Sequence, residues 1–371
     1  MIGIPPGDNV RPMITRNPGR EAMAAPAAGV PEKGRETRTI PLWQREMAAA
    51  VQSVEQLLGL LDLQPADFPP PFCDALAAAR DFPLRVPHAF VRRMRRGDPR
   101  DPLLLQVLPL AAERLPPSPG YTRDPLEEAA ATAIPGLLHK YRGRALLVAT
   151  GACAVHCRYC FRRHFPYAEQ RPDWQRALDY LQADDSIEEI LLSGGDPLSL
   201  ADEKLALLVE NLARIPHLRR LRVHSRVPIV LPSRVDEGLL SWLAPGDRWQ
   251  TVMVLHANHA HEIDPAVKAA VFRLRDAGVT VLNQSVLLRG VNDEAKNLAD
   301  LSRALFEGGI LPYYLHLLDR VEGAEHFAVE EDTALKLIRA LLQQLPGYMV
   351  PKLVREVPGA PSKMTIPLLD P

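Results

Sequence analysis

Short apolar segments alternate with longer helical ones from Ala145 onward, and this alternation limits the fold more than any other feature of the 371-residue sequence. Each of six strand-like segments precedes a segment with helical spacing; the six are ALLVAT, EEILLSG, RLRVHS, TVMVLHA, VTVLNQSVL and ILPYYLHLL. Repeated β-α units of this kind predict a parallel sheet, either an open doubly wound sheet or a partial barrel.

Polar residues follow the ends of most predicted strands, and their distribution helps to choose between the two architectures. These residues are Ser193, Gly194, Gly195, Asp196, His224, Ser225, Arg226, His256, Asn258, His259, Asn283, Gln284 and Asp319. A barrel collects its chemistry at the carboxyl ends of many successive strands, whereas a doubly wound sheet gathers it at one switch point. We therefore predict an α/β fold with a partial (β/α)6 barrel.

The rest of the chain divides into regions of different composition. Residues 1–38 are rich in Pro, Gly, Ala and Arg without periodicity, which predicts a flexible tail. Residues 39–136 read as a helical region, in which apolar residues at helical spacing predict an amphipathic helix between about Leu42 and Leu63. We assign the barrel to 137–345 and a separate C-terminal segment to 346–371.

Charge and hydropathy exclude several classes of protein. The formal net charge of -1 argues against a nucleic-acid binder. The sequence has no apolar run near the length of a membrane span and no secretory signal, so we expect a cytoplasmic protein. Four cysteines, three of them clustered, do not make a disulfide framework; in a reducing compartment such a cluster binds metal or carries out redox chemistry.

The three clustered cysteines are Cys153, Cys157 and Cys160, spaced C-x3-C-x2-C in the loop after the first predicted strand. Thiolates are soft ligands that suit zinc or the irons of an iron–sulfur cluster. Three thiolates on a four-iron cluster would leave one iron free to bind something else. His156 or His164 could supply a fourth ligand to zinc, so the spacing alone leaves both metals open.

This spacing, in this place, resembles that of the radical S-adenosylmethionine enzymes. SGGDP, after the second predicted strand, is similar to the glycine-rich strand that lies along the methionine end of the cofactor in that superfamily. The resemblance implies a partial (β/α)6 barrel of the radical S-adenosylmethionine type with an N-terminal helical extension. It also implies a [4Fe-4S] cluster on the three cysteines, and S-adenosyl-L-methionine contacted by Ser193, Gly194, Gly195 and Asp196.

Further segments narrow the resemblance to one family. CFRRHF, HSRVPIVLPSRV, LNQSVLLRGVND, PYYLHLLD and EGAEHF occur in the order seen in the lysine 2,3-aminomutase family, from about LRVPHAF to the C-terminus. LLHKYRGRALL, FRRHFPYAE and PYYLHLLDRVEGAEHF most resemble its short bacterial branch, which makes β-lysine for the modification of elongation factor P. The resemblance implies an isomerase that converts L-α-lysine to (R)-β-lysine, receives electrons from a reductant protein and supplies a separate lysine ligase.

Members of this family use pyridoxal 5'-phosphate, which spreads the unpaired electron during amino-group migration. Lys363, in PGAPSKMT, matches the lysine that forms the Schiff base, which makes 346–371 the cofactor-binding segment. Lys352, in VPKLV, is the competing candidate, but its strand-like context favours a structural role. Lys140 and Arg144, in HKYRGR, occupy the positions of two family arginines that bind the phosphate, and Lys140 departs from that pattern.

The resemblance also implies a set of substrate contacts. Arg162 matches the arginine that binds the substrate carboxylate. Asp319 and Glu356 match two aspartates that meet the ε-ammonium group, and Glu356 is longer by one methylene. Gln284 matches a family residue near S-adenosylmethionine, and Ser225, with Arg226, is at a strand end that faces the same site; a role in the core stays open for these residues. Four further residues look family-like without an assigned step: His256, Asn258, His259 and Glu262.

Two alternatives stay open at this stage. A radical aminomutase of this fold could act on another amino acid or give the other β-lysine enantiomer. A protein of a different class, a non-catalytic metal-binding module associated with translation, would leave Arg162 and Lys363 as surface charges. The oligomeric state is also open, and a homo-oligomer is one possibility. The sequence does not show whether the protein contacts elongation factor P directly.

Overall fold

One ten-stranded sheet forms the centre of the protein, for which a computed structural model describes residues 40–68, 73–170, 172–244 and 246–368. The predicted tail, 1–38, lies outside the described residues. The strands are β1 Thr132–Ile134, β2 Leu137–Tyr141, β3 Arg144–Thr150, β4 Glu189–Gly194, β5 Arg220–Ser225, β6 Gln250–Leu255, β7 Thr280–Val286, β8 Leu311–His316, β9 Lys352–Arg355 and β10 Met364–Thr365.

Helices connect the strands and form the N-terminal region. They are α1 Leu42–Ala48, α2 Val54–Leu60, α3 Cys73–Asp81, α4 His88–Val91, α5 Pro102–Leu105, α6 Trp174–Ala183, α7 Asp202–Ala213, α8 Val227–Val230, α9 Glu237–Leu243, α10 Pro265–Asp276, α11 Ala295–Glu307 and α12 Glu331–Gln344. Within the described part of the chain, no helix is both long enough and apolar enough to cross a membrane.

The strand order identifies the architecture. Strands β3 to β9 are parallel, and strands adjacent in the sheet are also consecutive in the chain. A doubly wound sheet would reverse its order at a switch point, whereas this order is that of a barrel. Antiparallel strands extend the sheet beyond both ends of the parallel set, so that β1 and β10 are its edges. The predicted partial barrel is confirmed. Strands β3 to β8 correspond to the six predicted strands, and β9, which lies beyond the predicted end of the barrel at residue 345, adds a seventh parallel strand.

The two faces of the sheet differ in polarity. On β5, Leu221 and Val223 are fully buried in the apolar core, which also contains buried leucines of α7. His224 alternates with them and therefore points to the other face. The register pairs Gln284 of β7 with Tyr314 of β8, which places these polar side chains on one face. The helices thus cover an apolar outer face, and the inner face is polar enough to bind charged ligands.

The N-terminal region contains two short helices where one was predicted. The expectation of a single helix between Leu42 and Leu63 is wrong, because α1 ends at Ala48 and α2 begins at Val54. Ser53, with extended backbone angles, starts α2 by accepting a hydrogen bond from the backbone N–H of Gln56. Val51, between the helices, instead forms an antiparallel β-bridge with Val86.

Candidate active site

The loop that follows β3 carries the three predicted cluster ligands, Cys153, Cys157 and Cys160, as half-buried free thiols. Burial raises the pKa of the Cys153 thiol, and the charges of Asp196 and the other two cysteines raise it further. Burial, followed by the nearby Cys157, raises the pKa of Cys160 to about 11. The three sulfurs are therefore close enough to influence one another electrostatically.

The thiols suit a cluster of several irons by their chemistry. Three cysteines from one loop provide the soft ligands that iron–sulfur irons prefer. Across residues 40–68, 73–170, 172–244 and 246–368, no three His, Cys, Asp or Glu side chains are grouped as ligands of a single metal ion.

A buried hydrogen-bond network lies behind Cys157. Arg226 Nη1 donates to Cys157 Sγ at 2.7 Å, and Arg226 Nη2 donates to Glu262 Oε2 at 3.0 Å and to Gln106 Oε1 at 2.6 Å. Burial opposes the charge on Glu262, but Arg226 and the surrounding N–H donors outweigh it and lower the pKa of this carboxyl. A charged guanidinium donor makes a strong hydrogen bond, so the network fixes the position of the Cys157 side chain within the loop.

The SGGDP turn packs directly against the cysteine loop. Gly194 has a φ of +123°, and a Cβ there would lie 2.4 Å from the carbonyl oxygen of Thr150. At Gly195 a Cβ would lie 2.5 Å from the carbonyl oxygen of Ala152. The backbone N–H of Gly195 donates to Thr150 at 2.7 Å. Only glycine fits such close backbone contact, which explains the Gly-Gly pair.

The side chains of Asp196 and Ser225 connect β4 to β5. Asp196 Oδ1 accepts a hydrogen bond from Ser225 Oγ at 2.8 Å, and Oδ2 accepts from the backbone N–H groups of Arg226 and Val227 at 2.8 and 3.2 Å. Burial raises the pKa of Asp196 to about 6 despite these donors. These hydrogen bonds fix the residues after β4 against those after β5. The contact of the two side chains with S-adenosylmethionine stays a prediction.

Arg162 already has a carboxylate partner that was not predicted. Its Nε and Nη2 donate to the two carboxylate oxygens of Glu128 at 2.7 and 2.6 Å, and its Nη1 donates to Ser193 Oγ at 3.1 Å. Both members of the ion pair are buried. Glu128 thus fixes the orientation of the predicted substrate-binding guanidinium and joins the cysteine loop to the N-terminal region.

Glu356 brings the predicted pyridoxal phosphate ligands together. Its carboxylate forms an ion pair with Lys363 Nζ, accepts a hydrogen bond from Tyr141 Oη at 2.5 Å and lies 3.4 Å from Lys140 Nζ. Burial disfavours the charged carboxylate, but Lys363, Tyr141 and Lys140 outweigh it and lower the pKa of Glu356 to about 2. Arg144 is adjacent, with its guanidinium carbon 4.7 Å from the centre of the Tyr141 ring.

The second predicted ammonium-binding carboxylate, Asp319, follows β8 and is half-buried. Burial raises its pKa to about 7, and Lys363, Glu356 and Glu128 are near enough to affect it. Gln284 is half-buried, on the opposite side of β7 from buried Asn283 and Ser285.

The competing lysine, Lys352, has an exposed side chain on β9. Lys363, in contrast, is half-buried and forms an ion pair with Glu356.

Several residues of the site escaped prediction from the sequence. Glu128 is in a loop without a motif, and only the need of Arg162 for a counter-charge could have suggested it. Tyr141 could have been predicted, because it lies inside the HKYRGR segment. Gln106 and Tyr159 belong to the Arg226 network, and no spacing rule connects them to Glu262.

Comparison with known proteins identifies the family of the chain. Residues 147–302 match the model of the Radical SAM superfamily. An L-lysine 2,3-aminomutase of Escherichia coli (strain K12) is 49% identical, with coverage of 88% of this chain and 94% of the relative. The L-lysine 2,3-aminomutase of Haemophilus influenzae (strain Rd) is 48% identical over 86% of this chain and 94% of its own length. That of Clostridium subterminale is 37% identical over 73% of this chain and 65% of its own length.

These similarities and the cysteine loop define the protein as a radical S-adenosylmethionine enzyme, an isomerase whose cofactors include a [4Fe-4S] cluster and S-adenosylmethionine. Within that class, the chain belongs to the L-lysine 2,3-aminomutase family.

The Arg162–Glu128 pair generates a prediction about stability. Glu128→Gln should lower the free energy of unfolding by about 3–5 kcal/mol, because it leaves a buried guanidinium without a counter-charge. The matched control is Glu210→Gln, which breaks an exposed Arg214–Glu210 pair with the same 2.6 Å separation; its cost should stay below about 1 kcal/mol. Anaerobic urea unfolding measures both, and equal effects of the two substitutions would contradict the role of Glu128.

Proposed function

We propose that the protein converts L-α-lysine to (R)-β-lysine with the use of pyridoxal phosphate, and that the product serves the modification of elongation factor P. The observation that carries this proposal is the position of Lys363, which forms an ion pair with Glu356 and lies near enough to Asp319 to affect its pKa. We place the [4Fe-4S] cluster on Cys153, Cys157 and Cys160.

Lys363 is the residue that would hold pyridoxal phosphate, which supplies, when bound, a conjugated system that spreads an unpaired electron. Its amine lies in a partly enclosed, polar interior and ion-pairs with Glu356, which also contacts Lys140. Lys140 and Arg144 would provide positive charge to the phosphate, Arg144 through a planar fork and Lys140 as a point charge. The donor set therefore fits this cofactor.

Glu356 and Asp319 would bind the ε-ammonium group of the substrate. An ammonium that enters a buried site needs negative charge, because an unpaired buried charge is very costly. Two carboxylates favour a cationic side chain and disfavour an acidic one. Arg162 would meet the α-carboxylate through its remaining N–H on Nη2 and through Nη1, which now donates to Ser193 Oγ and to the carbonyl oxygen of Gly194. Gln284, Ser225 and the SGGDP turn would contact S-adenosylmethionine.

The choice of lysine is supported by the name that the E. coli and H. influenzae relatives share. The (R) product and the link to elongation factor P rest on the resemblance of LLHKYRGRALL, FRRHFPYAE and PYYLHLLDRVEGAEHF to the short bacterial branch. We place the protein in the cytoplasm, where a reductant protein would supply the electron and a lysine ligase would consume the product.

The proposal is tested with anaerobically reconstituted protein that receives S-adenosylmethionine, reductant, pyridoxal phosphate and L-lysine. Derivatised products are separated with both β-lysine enantiomers as standards. We expect an (R)-β-lysine peak that disappears in Cys157→Ala. The (S) enantiomer would contradict the proposed branch. Protein that carries all three cofactors and forms no β-lysine would shift the search to another amino acid.

The raised pKa of Asp319, about 7, generates a prediction about pH. Above this pH the carboxylate is charged and binds the substrate ammonium; below it the carboxyl is neutral and the attraction is lost. We expect kcat/KM for lysine to fall as pH decreases from 8 to 6, approaching about tenfold per unit at the acidic end. Glu356, with a pKa of about 2, stays charged throughout and adds no pH dependence.

Asp319→Asn is the matched variant for this pH profile. It should have a low kcat/KM at every pH and should lose the step near pH 7, because its amide does not titrate. If the variant kept the step seen in the unmodified protein, another group would be responsible.

A further inference from the structure

Two buried imidazoles on the inner face of the barrel lack hydrogen-bond partners. Nε2 of His224, on β5, and Nε2 of His316, on β8, are both buried without a partner among the described residues. Buried polar atoms are nearly always satisfied, because an unsatisfied one loses its bond to water and gains nothing. Orphaned nitrogens on the polar inner face of the sheet therefore indicate a ligand that supplies the missing partner.

His316 is placed beside Lys363 by a shared neighbour. Its ring packs edge-on against Tyr314, with ring centres 5.6 Å apart, and Lys363 Nζ lies 6.0 Å from the centre of the same Tyr314 ring. A molecule attached to Lys363 is thus within reach of His316. Burial lowers the pKa of His316 well below its ordinary value, and the charge of Lys363 lowers it further. The imidazole is neutral and has one N–H to donate.

Among the described residues, His326 is another imidazole without hydrogen-bond partners, but its charged neighbours differ from those of His316. Both ring nitrogens of His326 are also buried and unpartnered in the part of the chain that the structure describes. Its charged neighbours, however, are Glu113, Arg163 and Arg158, behind the cysteine loop. His326 therefore serves as a matched control for His316, with the same ring and the same lack of partners away from Lys363.

We propose that His316 is a cofactor-positioning residue whose Nε2–H donates a hydrogen bond to the phenolic oxygen of pyridoxal phosphate held by Lys363. The inference rests on the proposed function. The phenolic oxygen is on the ring carbon next to the one that bears the aldehyde. It is therefore the acceptor that attachment to Lys363 keeps nearest to that lysine, and His316 shares the Tyr314 ring as a neighbour with Lys363.

The test is the dissociation constant of pyridoxal phosphate, measured by equilibrium dialysis on anaerobic, cluster-reconstituted protein. His316→Phe keeps a ring against Tyr314 but removes both nitrogens, and it should raise this constant about tenfold, as expected for one lost buried hydrogen bond. His316→Gln can present an amide N–H near the position of Nε2 and should restore most of the affinity. His326→Phe should leave the constant unchanged.

Binding of S-adenosylmethionine and the thermal unfolding midpoint distinguish a cofactor contact from a structural role. Both should be unchanged in His316→Phe and His316→Gln. Unaltered pyridoxal phosphate affinity in His316→Phe would overturn the inference, as would an equal loss of S-adenosylmethionine binding or an equal loss in His326→Phe. If the unmodified protein bound no pyridoxal phosphate, the proposed function itself would fall, which is a separate result.

Discussion

The contact on which the candidate site depends is the one that Glu356 makes with Lys363, Lys140 and Tyr141. A partial barrel has two free edges, so backbone hydrogen bonds do not determine how its ends approach each other. Glu356 follows β9 near one end of the sheet, and Lys140 and Tyr141 belong to β2 near the other. The carboxylate thus connects both ends of an open sheet. The same contact brings the predicted cofactor ligands Lys363 and Lys140 close together.

A second set of buried charges fixes the cysteine loop from the N-terminal region. Glu113 pairs with Arg158 and Arg163, all of them almost completely buried. Glu128 pairs in the same way with Arg162. Buried charges of this kind persist only when each has its counter-charge. The arginines that follow the cysteines therefore have a structural role in addition to any contact with substrate, and the N-terminal region is needed to neutralise them.

Local sequence patterns were sufficient to predict the strands of the barrel. Alternating apolar segments gave all six strands from β3 to β8, since buried parallel strands read as apolar runs. The predicted helix near Leu42 failed because Ser53 caps a new helix, a local signal that apolar spacing does not reveal. Strand β9 is only four residues long; the strand-like context of VPKLV indicated it, but not its parallel pairing with β8.

The chemistry of the site could be predicted only in part. The cysteines and Lys363 belong to short motifs, which a sequence displays directly. Glu128 and His316 could not be found in this way, because folding brings their neighbours Arg162 and Lys363 from distant parts of the chain. Glu128 became identifiable through the guanidinium it neutralises, and His316 through a nitrogen left without a partner.

The measurement that tests the central claim most directly locates the covalently held pyridoxal phosphate. Protein incubated with the cofactor is reduced with sodium borohydride and digested, and the phosphopyridoxyl-labelled peptide is identified by mass spectrometry. The account predicts a single label on Lys363 and none in Lys363→Ala. A label on Lys352, or undiminished labelling in Lys363→Ala, would contradict it.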